Sequence, residues 1–180
     1  KHSTLKLTDL KLADGTVSID AEERGNQWQI QINAKAVDSA LIQKLFQPAN
    51  FELKGGRINF ELNASGSHAL IEDFTLTTEL NGLTVQTRDG RFATEKVTLE
   101  SKLEAQNNKD LWQWQSHSLF KGGALYIEPL YLEADGQSMI LDAQGNWNGM
   151  NKRAEIQSVS YKQGTALALS GSAIVQYEKK

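Results

Sequence analysis

The sequence predicts an all-β chain: an elongated, mostly antiparallel sheet curved into a trough or flattened barrel, with one short amphipathic helix. Three observations point there. Apolar and polar residues alternate over stretch after stretch, which is the period of a strand with one dry face. Glycine-containing turn pairs punctuate these stretches, and only one segment has helical spacing. At 180 residues the chain is long enough for one sizeable core, and an elongated array fits the length equally well. The expectation is a single β-rich domain over residues 1–180, cut from a longer repeat-containing protein, since Lys1-His2-Ser3-Thr4 already reads as strand.

Taken in order, Asp14-Gly15 predicts a first hairpin, with Leu12 opposite Val17 and Leu10 opposite Ile19. The helix is expected from Asp38 to Gln47 (DSALIQKLFQ), where Leu41, Ile42, Leu45 and Phe46 share a face. Asp38 suits an N-cap, Val37 a staple onto Ile42, and Pro48 a stop. Gly55-Gly56 is either a hairpin, pairing Leu53 with Ile58 and Phe51 with Phe60, or a bulge inside one long strand.

In IEDFTLTTELNGLTVQT, from Ile71, Phe74, Leu76 and Leu80 alternate with threonines and Glu79. Asn81-Gly82 then suits a two-residue turn that sets Leu80 against Leu83 and Thr78 against Val85. Further turn pairs are Asp89-Gly90, Gly122-Gly123, Asp135-Gly136 and Asn148-Gly149; around Asp135-Gly136, Leu132 is expected to meet Met139 and Leu130 to meet Leu141. A weak repeat links LTDLKLADG from Leu7, IEDFTLTTELNG from Ile71 and IEPLYLEADG from Ile127. Its three-residue apolar step breaks alternation, and a bulge or corner there returns both residues to one face.

The composition excludes several classes of chemistry. The net charge of −3, with Lys and Arg scattered among acids, lacks the footprint of a nucleic-acid binder. With no cysteine there are no disulfides, thiolate nucleophiles or cysteine zinc sites. His2, His68 and His117 stand apart with no carboxylate at ligand spacing, and Glu22-Glu23 or Glu95 with Glu100 read as solvated strand faces rather than acid–base pairs. Phosphate-loop, dinucleotide and nucleophile-elbow motifs are missing, so no enzyme activity and no cofactor is expected.

Trp112 and Trp114 share a strand face with Gln113 and Gln115 on the other, which keeps a carbohydrate-binding β-sandwich as an alternative. Core packing is favoured, because Trp28 is in phase with Ile30 and Ile32, and Trp114 with Phe120. A dry face this extensive needs an apolar partner, either a second sheet or lipid acyl chains in a half-open trough. The candidate groove-lining residues are Leu10, Leu12, Ile58, Phe60, Leu62, Phe74, Leu76, Leu83, Val85, Leu130 and Leu132.

The stretch LKLTDLKLADGTVSIDAEERGNQWQIQINAKAVDSALIQKLF, followed by FELKGGRINFELNASG, resembles the AsmA-like superfamily of bacterial envelope proteins, of the YdbH, TamB and YhdP type. The resemblance rests on a short apolar strand pair, the Gly-x-x-Trp strand at Gly25 to Ile30, a short helix, and the Gly-Gly stretch at Leu53 to Phe60; it covers the first half of the chain. It implies a periplasmic protein anchored to the inner membrane outside this chain, built as a twisted sheet with a hydrophobic groove. It further implies phospholipid movement to the outer membrane, with acyl chains and other segments of the same protein as partners. A purely structural envelope repeat is the remaining alternative.

Overall fold

The computed structural model describes residues 2–12, 14–46, 50–134, 136–151, 153–165 and 167–176. They form one open antiparallel meander that does not close into a barrel. Its strands are β1 (His2–Leu12), β2 (Gly15–Arg24), β3 (Gln27–Asp38), β4 (Phe51–Ser67), β5 (Leu70–Thr87), β6 (Phe92–Asn108), β7 (Leu111–Ile127), β8 (Leu130–Glu133), β9 (Met139–Asn148), β10 (Arg153–Gln163) and β11 (Leu167–Gln176). Each pairs with the next in sequence, except that β8 and β9 both pair along the same side of β7. Every substantial strand contact is between hydrogen-bonded neighbours, so the described residues provide no second sheet.

Helix α1 (Ser39–Phe46) packs on β4 and, less, on β3. Asp38 caps it, its Oδ1 accepting the Ala40 N–H at 2.7 Å. The expected Gln47 end and the Pro48 stop lie outside the described residues. Asp38→Ala is expected to lower stability by about 1 kcal/mol, measured by urea denaturation, because an orphan first-turn amide loses its acceptor.

Two of the expected hairpins are absent, and at Gly55-Gly56 the bulge within one long strand is what forms. Asn81-Gly82 lies inside β5, Gly55-Gly56 inside β4 and Gly122-Gly123 inside β7, each at or beside a register shift in an uninterrupted strand. Leu80 therefore faces Ile58 and Leu99, Leu83 faces Val97, and Thr78 faces Phe60 and Ser101. Leu53 pairs with Val85 rather than Ile58, and Phe51 with Thr87. The reason is geometric: a two-residue turn and a one-residue bulge both return residues three apart to the same face, so alternation does not distinguish them.

The first hairpin forms with Leu12 opposite Gly15 and Leu10 opposite Val17, two residues out of the expected register but with the same faces. β8 and β9 do not pair: Leu132 meets Leu125, Leu130 meets Ile127, and Met139 meets Phe120. In the repeat, the steps Leu7 to Leu10 and Ile71 to Phe74 are bulges, whereas Ile127 to Leu130 crosses a chain reversal.

The internal bulges form a line. Ala36, Gly56, Gly82, Lys96 and Gly123 all have positive φ, between 49° and 111°, and they occupy five consecutive strands, β3 to β7. Side chains take up amides that the bulges pull from the ladder: Ala36 N–H donates to Asn59 Oδ1 at 2.6 Å, Lys96 N–H to Thr84 Oγ1 at 3.1 Å and Val85 N–H to Thr94 Oγ1 at 2.9 Å. The Ala134 N–H donates to Gly123 O at 3.1 Å, which brings the break between β8 and β9 to the same line. Bulges increase local twist and bend the strand, so a row of them creases the sheet.

Candidate functional site

Pairing across the sheet separates a mainly apolar face from a polar one. One cross-strand row reads Leu7, Ile19, Ile32, Leu62, Leu76, Leu103, Ser116, Ala143, Val159 and Gly171. The row beside it, on the opposite face, reads Lys6, Asp20, Gln31, Asn63, Thr75, Glu104, Gln115, Gln144 and Ser158. Residues directly opposite in a ladder point the same way, so each row keeps to one face from edge to edge, and the first is apolar apart from Ser116.

All eleven residues singled out for an apolar face, Leu10, Leu12, Ile58, Phe60, Leu62, Phe74, Leu76, Leu83, Val85, Leu130 and Leu132, lie on the first face. Their surroundings differ. Leu83 and Val85 are buried, Leu10 and Leu130 are 57% and 63% exposed, and the rest are half-buried or nearly so.

Along the crease the apolar face closes into a hollow of about 360 Å³. Leu83, Val85 and Leu132 line it, together with residues the sequence reading did not select: Val97, Leu99, Phe120, Leu125, Met139 and Tyr161. Val97, Phe120 and Met139 form its buried centre. The alternation of Val97 and Leu99 was a usable signal, and the expected Leu132–Met139 pairing already put Met139 on the apolar side; Tyr161 had none, because β10 reaches the hollow only through β9, which pairs with β7.

The hollow's polar groups are already engaged. Thr94 Oγ1 accepts from Val85 N–H and donates to Leu83 O, Ser118 Oγ is 2.9 Å from Ser101 Oγ, and the Tyr161 hydroxyl donates toward Gln163 Oε1 at 3.0 Å. The lining thus has few unmet hydrogen-bonding groups for a polar guest, and suits hydrocarbon.

The four tryptophans stand on the same face at the other end of the strands. Trp28 lies opposite Gly66 and Trp114 opposite Gly145, each ring close over the glycine. Trp112 lies opposite Trp147 and packs on Phe74, with ring centroids 5.8 Å apart. Gln113 and Gln115 point to the opposite face; the amide beside the rings on their own face is Asn107, which stands opposite Trp112 and donates from Nδ2 to Ile71 O at 3.3 Å.

The polar face carries ordinary surface electrostatics. Glu104 is held below the usual carboxylate range, first by the Lys102 ammonium and then by the Gln115 amide. A depressed folded-state value stabilises the protein above the unfolded value, and that contribution is lost as pH falls through the folded one. Lys102→Met is therefore expected to move the Glu104 titration upward, read by NMR, with little change in fold.

The spacing of the histidines suggested no carboxylate neighbour, but the ladder places His117 Nδ1 2.5 Å from Asp142 Oδ1 on the neighbouring strand. Among the described residues no hydroxyl bonds this imidazole, and Ser116 and Ser118 point to the apolar face. Among the described residues no three metal-ligating side chains converge, and no helix is long and apolar enough to cross a membrane. No family model, curated protein or solved structure matches the chain.

Proposed function

We propose that the protein is a non-enzymatic segment of a periplasmic phospholipid-transfer conduit between the inner and outer membranes, holding acyl chains against the apolar face of its sheet. The observation that supports this reading is the single layer: an apolar face continuous over the sheet, half-exposed, with no second sheet among the described residues to cover it. Completing the burial of one large aliphatic side chain is worth roughly 1.5–3 kcal/mol, so such a face gains from any hydrocarbon laid on it. Because that attraction has no direction, a chain held this way also slides. The outer edges of β1 and β11 are unpaired among the described residues and suit other segments of the same longer protein, which would also carry the membrane anchor.

The test is to purify the protein, extract it and identify bound lipid by mass spectrometry. Co-purifying phospholipid is expected; a lipid-free extract from a folded protein would favour the structural-repeat reading. A photocrosslinking side chain at Phe74 should label lipid and one at Thr75 should not, since they point to opposite faces. Equal labelling from both sites would defeat the assignment.

A further inference from the structure

We infer that β11 is a self-association edge, at which two copies of this chain join as an antiparallel pair, β11 against β11, about a two-fold axis through Gly171. The inference goes beyond the lipid reading and does not depend on it. β11 is the last strand of the sheet, bonded to β10 on one side and unpaired on the other among the described residues. Its sequence, LALSGSAIVQ, contains no charged residue and no proline. The register shift between β10 and β11 is absorbed by an extra residue of β10, so β11 itself runs without a bulge. Every residue from Leu167 to Val175 is exposed, Leu169 by 59% and Ile174 by 62%. A long, neutral, apolar edge strand with its outer amides and carbonyls free is a template for another strand. The opposite edge of the sheet is guarded: Lys6 and Lys11 interrupt the leucines of β1, and a bulge breaks that strand between Leu7 and Leu10.

The strand is complementary to itself. An antiparallel register centred on Gly171 sets Leu167 opposite the copy's Val175 and Leu169 opposite its Ala173 on the apolar face. On the other face it sets Ala168 opposite Ile174 and Ser170 opposite Ser172. Apolar side chains meet apolar ones, serine meets serine, and no like charges oppose. Neighbouring registers fit less well: centring on Ser172 sets Ser170 against Ile174, and centring on Ser170 sets Ala168 against Ser172. Slipping one strand by a single residue would turn the two apolar faces to opposite sides. In the Gly171 register the faces coincide, so the apolar surface runs from one copy into the other. A two-fold pair uses the β11 edge of both copies and stops at two, whereas β11 pairing with β1 would add copies without end. Of the two edges, β1 then remains for further segments of the longer protein.

The experiment is sedimentation equilibrium of the full chain over a range of concentrations, with circular dichroism to report folding. Twice the monomer mass is expected. S170K/S172K, which sets like charges against each other at both serine pairs, should sediment as a folded monomer, since both positions are exposed. S170E/S172K sets opposite charges at the same pairs and should restore the dimer. The chain has no cysteine of its own, and a Cβ at Gly171 would meet only Val159 Cγ1, at 3.8 Å. Gly171→Cys should therefore give a disulfide-linked dimer on mild oxidation, and Lys11→Cys, on the guarded edge, should not. A folded chain that stays monomeric at every concentration overturns the inference, as does a dimer that persists in S170K/S172K or a mass that climbs past two copies. Bound lipid is read separately by extraction, so loss of the dimer leaves the conduit reading standing.

Discussion

Gly56→Ala is expected to cost about 3 kcal/mol or more, measured by urea denaturation, and Gly82→Ala only about 1 kcal/mol. Both glycines sit on the bulge line with positive φ, 111° and 64°. The difference lies in what a methyl group would meet. At Gly56 an added Cβ falls 2.5 Å from Leu83 Cα and 2.7 Å from Gly82 O, in backbone of the neighbouring strand that cannot yield without breaking the ladder. At Gly82 nothing lies within 4 Å, and only the left-handed conformation is penalised. Equal losses at the two sites would mean that β4 and β5 do not approach so closely at the crease. Because Leu83 also lines the hollow, Gly56→Ala should weaken lipid retention as well, whereas Gly82→Ala should not.

Phe120→Ala should destabilise the protein by about 3 kcal/mol, lowering the melting temperature by roughly 6–12 °C at 2–4 °C per kcal/mol. Phe120 is 8% exposed and packs between Val97, 3% exposed, and Met139, 4% exposed. Those three form a buried cluster on a face that is elsewhere largely half-buried, so truncation leaves a void at the centre of the hollow rather than at its margin. Leu10→Ala, on the exposed edge strand β1, serves as the contrast and should change stability by well under 1 kcal/mol. A similar loss at both positions would mean that burial is uniform over the face and that no hollow is singled out.

The legible part of the fold was the facing of each residue. Leu10, Ile58, Phe60, Phe74 and Leu83 all fall on one side, as alternation implied, and Asp38 caps the helix where the sequence placed it. Asp14-Gly15, Asp89-Gly90 and Asn148-Gly149 do stand at the β1–β2, β5–β6 and β9–β10 reversals, and the illegible part was where the remaining reversals fall. The true β2–β3, β4–β5 and β6–β7 turns fall at Gly25-Asn26, His68-Ala69 and Lys109-Asp110, and only the first contains glycine. The more conspicuous Asn81-Gly82 and Gly122-Gly123 pairs lie within strands. His68, Lys109 and Asp110 accept positive φ without a glycine, in tight turns imposed by long paired strands on either side.

The one-sidedness of the sheet was already written in the order of residues, because a strand turns successive side chains to opposite faces whatever it pairs with. Register, the alignment of five bulges into a crease, and the joining of Val97, Phe120 and Met139 from separate strands into one hollow belong to the tertiary structure. Those features depend on which backbone amides find partners across neighbouring strands. That is a property of pairs of segments, and no single segment carries it.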